Sequence, residues 1–192
     1  MDSTHRVPMD FEIVSEISPE SVGPIIAALN EAEAGRTLRI ILKHNNGGQI
    51  SAAFALILAI KATLAKVEIL MDRHIMSAAA FIWVWFAIRN QDNVVAFRPL
   101  EPAVLMYHRP RQICLDSASH YLFRDDLEDG HPLRTQLEVG VTVFDTLFDE
   151  LIQALGYSDN MEFLEHDGAQ YRHNLSHMRA AYYQNRDCIL TF

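Results

Sequence analysis

Runs suited to a β-strand alternate with runs suited to an α-helix from the N-terminus to about residue 97, and this alternation limits the chain to few folds. The strand-like runs are Phe11-Glu12-Ile13-Val14, Leu38-Arg39-Ile40-Ile41-Leu42-Lys43, Val67-Glu68-Ile69-Leu70-Met71 and Asn93-Val94-Val95-Ala96-Phe97. Before the first helix stands Ser18-Pro19-Glu20-Ser21, in which Ser18 can cap and Pro19 takes the first helical position. Val22, Ile25, Ile26 and Leu29 then follow at near-helical spacing, and Gly35 ends the run. A second helix is expected from Ile50 to about Ala65 and a third from Ser77 to about Arg89. Such a pattern predicts βαβ units and an α/β fold with a mostly parallel sheet covered by helices. In open sheets of this kind ligands bind at the carboxyl ends of the strands.

Those ends carry the chemistry. Asn45-Asn46-Gly47-Gly48 lies between a strand and a helix, and a double glycine lets backbone N–H groups come close to a ligand. After the next strand, Asp72-Arg73-His74 leads to Ile75-Met76-Ser77-Ala78-Ala79-Ala80, with a serine where the third helix starts. The run Ala103-Val104-Leu105-Met106-Tyr107 then delivers His108. Backbone donors, a helix-start serine and a strand-end histidine are the ingredients of acyl transfer. Each also has an ordinary role: Ser77 as a helix cap, His108 as a buried or rim histidine, the glycines as a tight turn.

The formal charge of −9 and pI near 5.4, without a cluster of lysine or arginine, argue against a nucleic-acid partner. Ile50–Ile60 and Ile75–Ile88 are the longest uncharged apolar stretches, and both fall short of the ~20 residues that a membrane span needs. Met1–Asp10 is polar and does not read as a signal peptide. Cys114 and Cys188 show no CxxC spacing and no disulfide framework. A cytoplasmic protein with no membrane partner is the expectation. At 192 residues the chain suits one domain, residues 11–192, behind a short flexible arm of residues 1–10. The character changes at about 117–155, where an acidic run, Asp125 to Asp129, and the break Gly130-His131-Pro132 precede a long amphipathic helix over Leu133–Leu155. That helix either projects as an extended arm and oligomer contact or packs on its own domain. His166, His173 and His177 include one i,i+4 pair but no partner carboxylate or cysteine in register, so neither a metal nor another cofactor is expected.

Taken in order, four segments resemble the Clp protease proteolytic subunit family (ClpP-like), within the crotonase-like superfamily. Asn45-Asn46-Gly47-Gly48 is similar to the family's Asn-Ser-Pro-Gly-Gly, and Arg73-His74-Ile75-Met76-Ser77-Ala78-Ala79 to its nucleophile segment. Met106-Tyr107-His108-Arg109-Pro110 is similar to its histidine segment, and Leu175-Ser176, Ala180-Ala181 and Asp187-Cys188-Ile189-Leu190 to its closing pattern. Arg73 stands where the family has a glycine, and the Arg-Asp-x-aromatic context of the family's acid is absent. The resemblance implies a ClpP/crotonase-like repeated ββα superhelix with a projecting long helix. It implies a serine-type endopeptidase that cleaves unfolded or short polypeptides inside a homo-oligomeric ring, with an ATPase as partner. Ser77 would be the nucleophile, His108 the base and Asp167 the third member, with Tyr171 or Arg172 at that position in an alternative alignment. Gly47, Gly48 and Ala78 would supply the oxyanion hole. Two other readings stay open: a catalytically silent relative with an oligomeric or regulatory role, and crotonase-type acyl-CoA chemistry.

Overall fold

The computed structural model describes residues 7–115, 120–157 and 166–192, and of residues 166–172 the backbone alone. Its elements are β1 (Met9–Ile17), α1 (Pro19–Glu31), β2 (Thr37–Gly48), α2 (Ile50–Ala62), β3 (Lys66–Met76), α3 (Ser77–Ile88), β4 (Val94–Ala96) and β5 (Val104–Tyr107). The hairpin strands β6 (Arg111–Ile113) and β7 (Tyr121–Phe123) follow, then α4 (Pro132–Ala154), α5 (His166–Tyr183) and β8 (Cys188–Thr191). The chain forms two compact units where the sequence suggested one domain. The first runs to Met106 and takes in Ile189–Phe192; the second is Tyr107–Cys188.

The first unit is α/β. Its sheet has the order β1-β2-β3-β5-β8, with β4 beside β3. Pairing is parallel from β1 through β5. Ala103 and Phe192 exchange both backbone hydrogen bonds, at 3.0 and 3.3 Å, which is the antiparallel pattern for β8. On one sheet face Ile13, Ile17, Leu38, Ile40, Leu42, Val67, Ile69 and Met71 are buried, the period-two signature of a covered face. Val22, Ile25 and Leu29 of α1 and Leu56, Ile57 and Ile60 of α2 complete the core, each such side chain contributing roughly 1.5–3 kcal/mol by burial. The expected cap of α1 forms: Ser21 N–H donates to Ser18 Oγ at 3.3 Å, and Ser18 N–H to Ser21 Oγ at 2.9 Å. In α3 eight of the twelve residues are buried, as a helix apolar on most sides requires.

Two expectations need correction. Met9 and Asp10 pair with Leu38 and Arg39, so β1 begins inside the segment expected to be a flexible arm. Strands β2 and β3 run five residues past Lys43 and Met71, where the sequence suggested turns. Ser15, His44 and Arg73 have φ of 72°, 45° and 66°, and the register slips at this level between β1 and β2 and between β2 and β3. Each strand thus accommodates a bulge and continues instead of stopping.

In the second unit the stripe on α4 is buried: Leu137, Val141, Phe144, Leu147, Phe148, Leu151 and Ile152. The Phe148 ring stacks on Tyr182 of α5 with centroids 3.8 Å apart, and the Tyr107 hydroxyl donates to the Phe144 carbonyl at 3.1 Å. Of the two readings of this helix, packing within its own unit accounts for the stripe. Strands β6 and β7 pair antiparallel.

Candidate functional site

Ser77 begins α3 directly after β3, with φ of 53°. A left-handed conformation costs a non-glycine residue about 1–2 kcal/mol, so it persists only where the surroundings impose it. Here they do. Ile75 before it and Ala78, Ala79 and Ala80 after it are fully buried, which fixes the strand and the helix on either side. Met76 occupies the cap position, and no side chain caps the helix. The ordinary role expected of Ser77, that of a capping serine, is therefore not the one it performs.

The end of β2 presses against this junction. Asn45 is fully buried, and its Nδ2 donates to the Ile13 carbonyl at 3.1 Å. Its Oδ1 accepts the Gly47 N–H at 3.0 Å, which holds the strand end in shape. A Cβ on Gly47 would lie 2.5 Å from Ser77 Cβ, 2.8 Å from the Met76 carbonyl oxygen and 3.1 Å from the Ala78 nitrogen. With φ of 94° as well, only glycine fits there. Gly48 is equally constrained, since a Cβ would lie 2.3 Å from the Ile17 carbonyl oxygen. Gly47, Ser77 and Ala78, separated by thirty residues of sequence, thus meet backbone to backbone. The Gly47 N–H is directed at Asn45, not outward as the sequence suggested.

His108 belongs to the second unit. It is 5% exposed, and its Nδ1–H donates to the Arg109 carbonyl at 2.7 Å. That bond sets the neutral tautomer and keeps Nε2 as the acceptor. Burial first, and then the positive charge of Arg111, hold the imidazole below the usual histidine range; the Arg109 carbonyl and Asp187 act in the opposite direction. Asp167 falls within α5, but its side chain lies outside the described residues, as do those of Tyr171 and Arg172.

Sequence reasoning missed Arg109, 8% exposed and bound to Asp145 of α4 through Nε at 3.0 Å. The available signal was Asp145 itself, a carboxylate directly beside Phe144 in an otherwise apolar stripe. Arg73 lines an open groove of about 500 Å³ on the sheet face of the first unit, with Ile41, Leu70, Phe97 and Leu100. His74 packs edge-on to His44, ring centroids 5.3 Å apart. His173 and His177 are exposed with their Nε2 atoms 2.9 Å apart, and among the described residues no group of three side chains could hold a metal ion. Among the described residues no helix is long and apolar enough to cross a membrane. No protein-family model matches the chain, and no curated protein matches it.

Proposed function

We propose that the chain is a divergent serine peptidase resembling the Clp proteolytic subunit, with a ClpP/crotonase-like fold and Ser77 as its nucleophile. The observation that carries this reading is the junction of β3 and α3. A serine held at φ 53° on a sharp strand-to-helix turn, with a glycine backbone against its Cβ, is how a nucleophile is presented at the end of an α/β sheet. In this reading Ser77 Oγ attacks a peptide carbonyl while His108 Nε2 takes its proton. The same nitrogen returns the proton to the leaving amine as the C–N bond breaks, and water then hydrolyses the acyl-enzyme. With the Gly47 N–H engaged by Asn45, the oxyanion role passes to the N–H groups of Gly48 and Ala78, each such donor contributing about 3–4 kcal/mol. Unfolded or short polypeptides are the substrate class, an oligomeric ring the expected assembly, and an ATPase the partner that would supply substrate.

The engaged Gly47 N–H also favours a second reading, a catalytically silent relative that keeps the fold for binding. One experiment separates the two. A fluorophosphonate probe should label purified protein at Ser77, located by mass spectrometry, and should not label Ser77→Ala. Folded protein that takes up no probe overturns the peptidase reading and leaves the silent relative.

A further inference from the structure

Arg109, next to the histidine, is held from several sides. Its Nε donates to Asp145 Oδ1 at 3.0 Å and its Nη2 to Asp145 Oδ2, forming a two-pronged fork. Its Nη1 lies 3.4 Å from Asp125. Tyr182 of α5 donates its hydroxyl to the same Asp145 Oδ1 at 2.9 Å, and the Tyr183 ring lies 4.9 Å from the guanidinium. Pro110 follows and restricts Arg109 to extended backbone. All of this restraint falls on the residue whose carbonyl accepts the His108 Nδ1–H.

We propose that Arg109 and Asp145 are positioning residues for His108: the fork fixes the Arg109 carbonyl, and the carbonyl fixes the ring so that Nε2 stays the acceptor. A main-chain carbonyl then stands where a Ser-His-Asp triad has a carboxylate. A neutral oxygen stabilises an imidazolium less than a carboxylate does, so the device orients the base more than it strengthens it. The charges facing the ring are Arg111 of β6 and Asp187, themselves paired at 2.9 Å. The inference rests on His108 being the base, but its tests do not depend on activity.

Full-length protein with ¹⁵N-labelled histidine rings, His108 assigned by the His108→Gln variant, would be followed by long-range ¹H–¹⁵N correlation. The expected result is an Nδ1-protonated ring at neutral pH with a midpoint below the usual ~6.5. An Nε2-protonated or mixed ring overturns the proposal. Arg109→Lys keeps the charge and loses the fork, so the tautomers should mix. A ring left unchanged in folded Arg109→Lys overturns the positioning role. Tyr182→Phe removes a single hydroxyl and should give a smaller change in the same direction; it decides the question if Arg109→Lys does not fold, an unchanged ring again counting against the role. Serine labelling is read separately. A fixed tautomer without labelling keeps this inference and sinks the peptidase reading; labelling with a mixed ring does the reverse.

Discussion

Ser77 and His108 are held by different forces. Around Ser77 the restraint is steric: glycine backbone, three buried alanines and a strand end tied by one buried asparagine amide. Around His108 it is electrostatic: a guanidinium, two carboxylates and a tyrosine hydroxyl. Steric restraint tolerates no added atom but is indifferent to pH and salt. Ionic restraint tolerates small changes of shape and fails when a charge is lost.

The largest effect should come from Gly47→Ala. The added methyl would lie 2.5 Å from Ser77 Cβ on a backbone with φ of 94°, so a loss of roughly 2–4 kcal/mol is expected in urea unfolding. A loss below ~1 kcal/mol would show that the junction gives way easily and is not sterically fixed. Asp145→Ala should cost about 2–3 kcal/mol, because it leaves the Arg109 guanidinium, whose side chain is only 10% exposed, with the longer contact to Asp125 at 3.4 Å. The comparison is sharpened if salt changes the stability difference for Asp145→Ala and leaves that for Gly47→Ala unchanged.

At Ser77, glycine should be tolerated better than alanine. Ser77→Gly relieves the positive φ and should be more stable than Ser77→Ala by up to about 1 kcal/mol, although neither variant keeps the hydroxyl. Alanine proving the more stable in thermal melts would show that φ of 53° carries no strain. The smallest effect concerns pH. The folded His108 sits below the usual histidine range while the unfolded chain titrates near ~6.5, so the unfolded state binds the extra proton first. The His108 contribution is therefore complete above ~6.5 and is lost as pH falls through the folded value. Denaturation midpoints from pH 7 to 5 should show this slope in the parent protein and lose part of it in His108→Gln.

The parallel α/β core was legible in the sequence because it rests on local signals: period-two runs in the strands, a capping serine with Pro19, and a helix apolar on every side. The continuation of β2 and β3 was not: Arg73 is not a residue that favours a left-handed conformation, and the preference of His44 for one is too weak to mark a bulge inside a strand. Ser77 was legible as the start of a helix but not as a strained residue, since Gly47, whose backbone packs against it, lies thirty positions earlier. Arg109 was hidden for a related reason: a burial that arginine rarely has depends on a carboxylate 36 residues away. Local periodicity writes the fold, whereas the site depends on pairs distant in the chain.

The bulge at His44 also keeps count for its strand. Before it the buried positions of β2 are Leu38, Ile40 and Leu42, in steps of two; after it they are Asn45 and Gly47, reached by a step of three. Were His44 to take regular strand backbone, the alternation would run through it and every side chain beyond it would change faces. Asn45 would turn from the core to the opposite face, and Gly47 would leave the backbone of Ser77. Deleting His44 would instead bring Asn45 two positions after Leu42 and keep both on the core face, so the facing of the site depends on that residue being either bulged or absent.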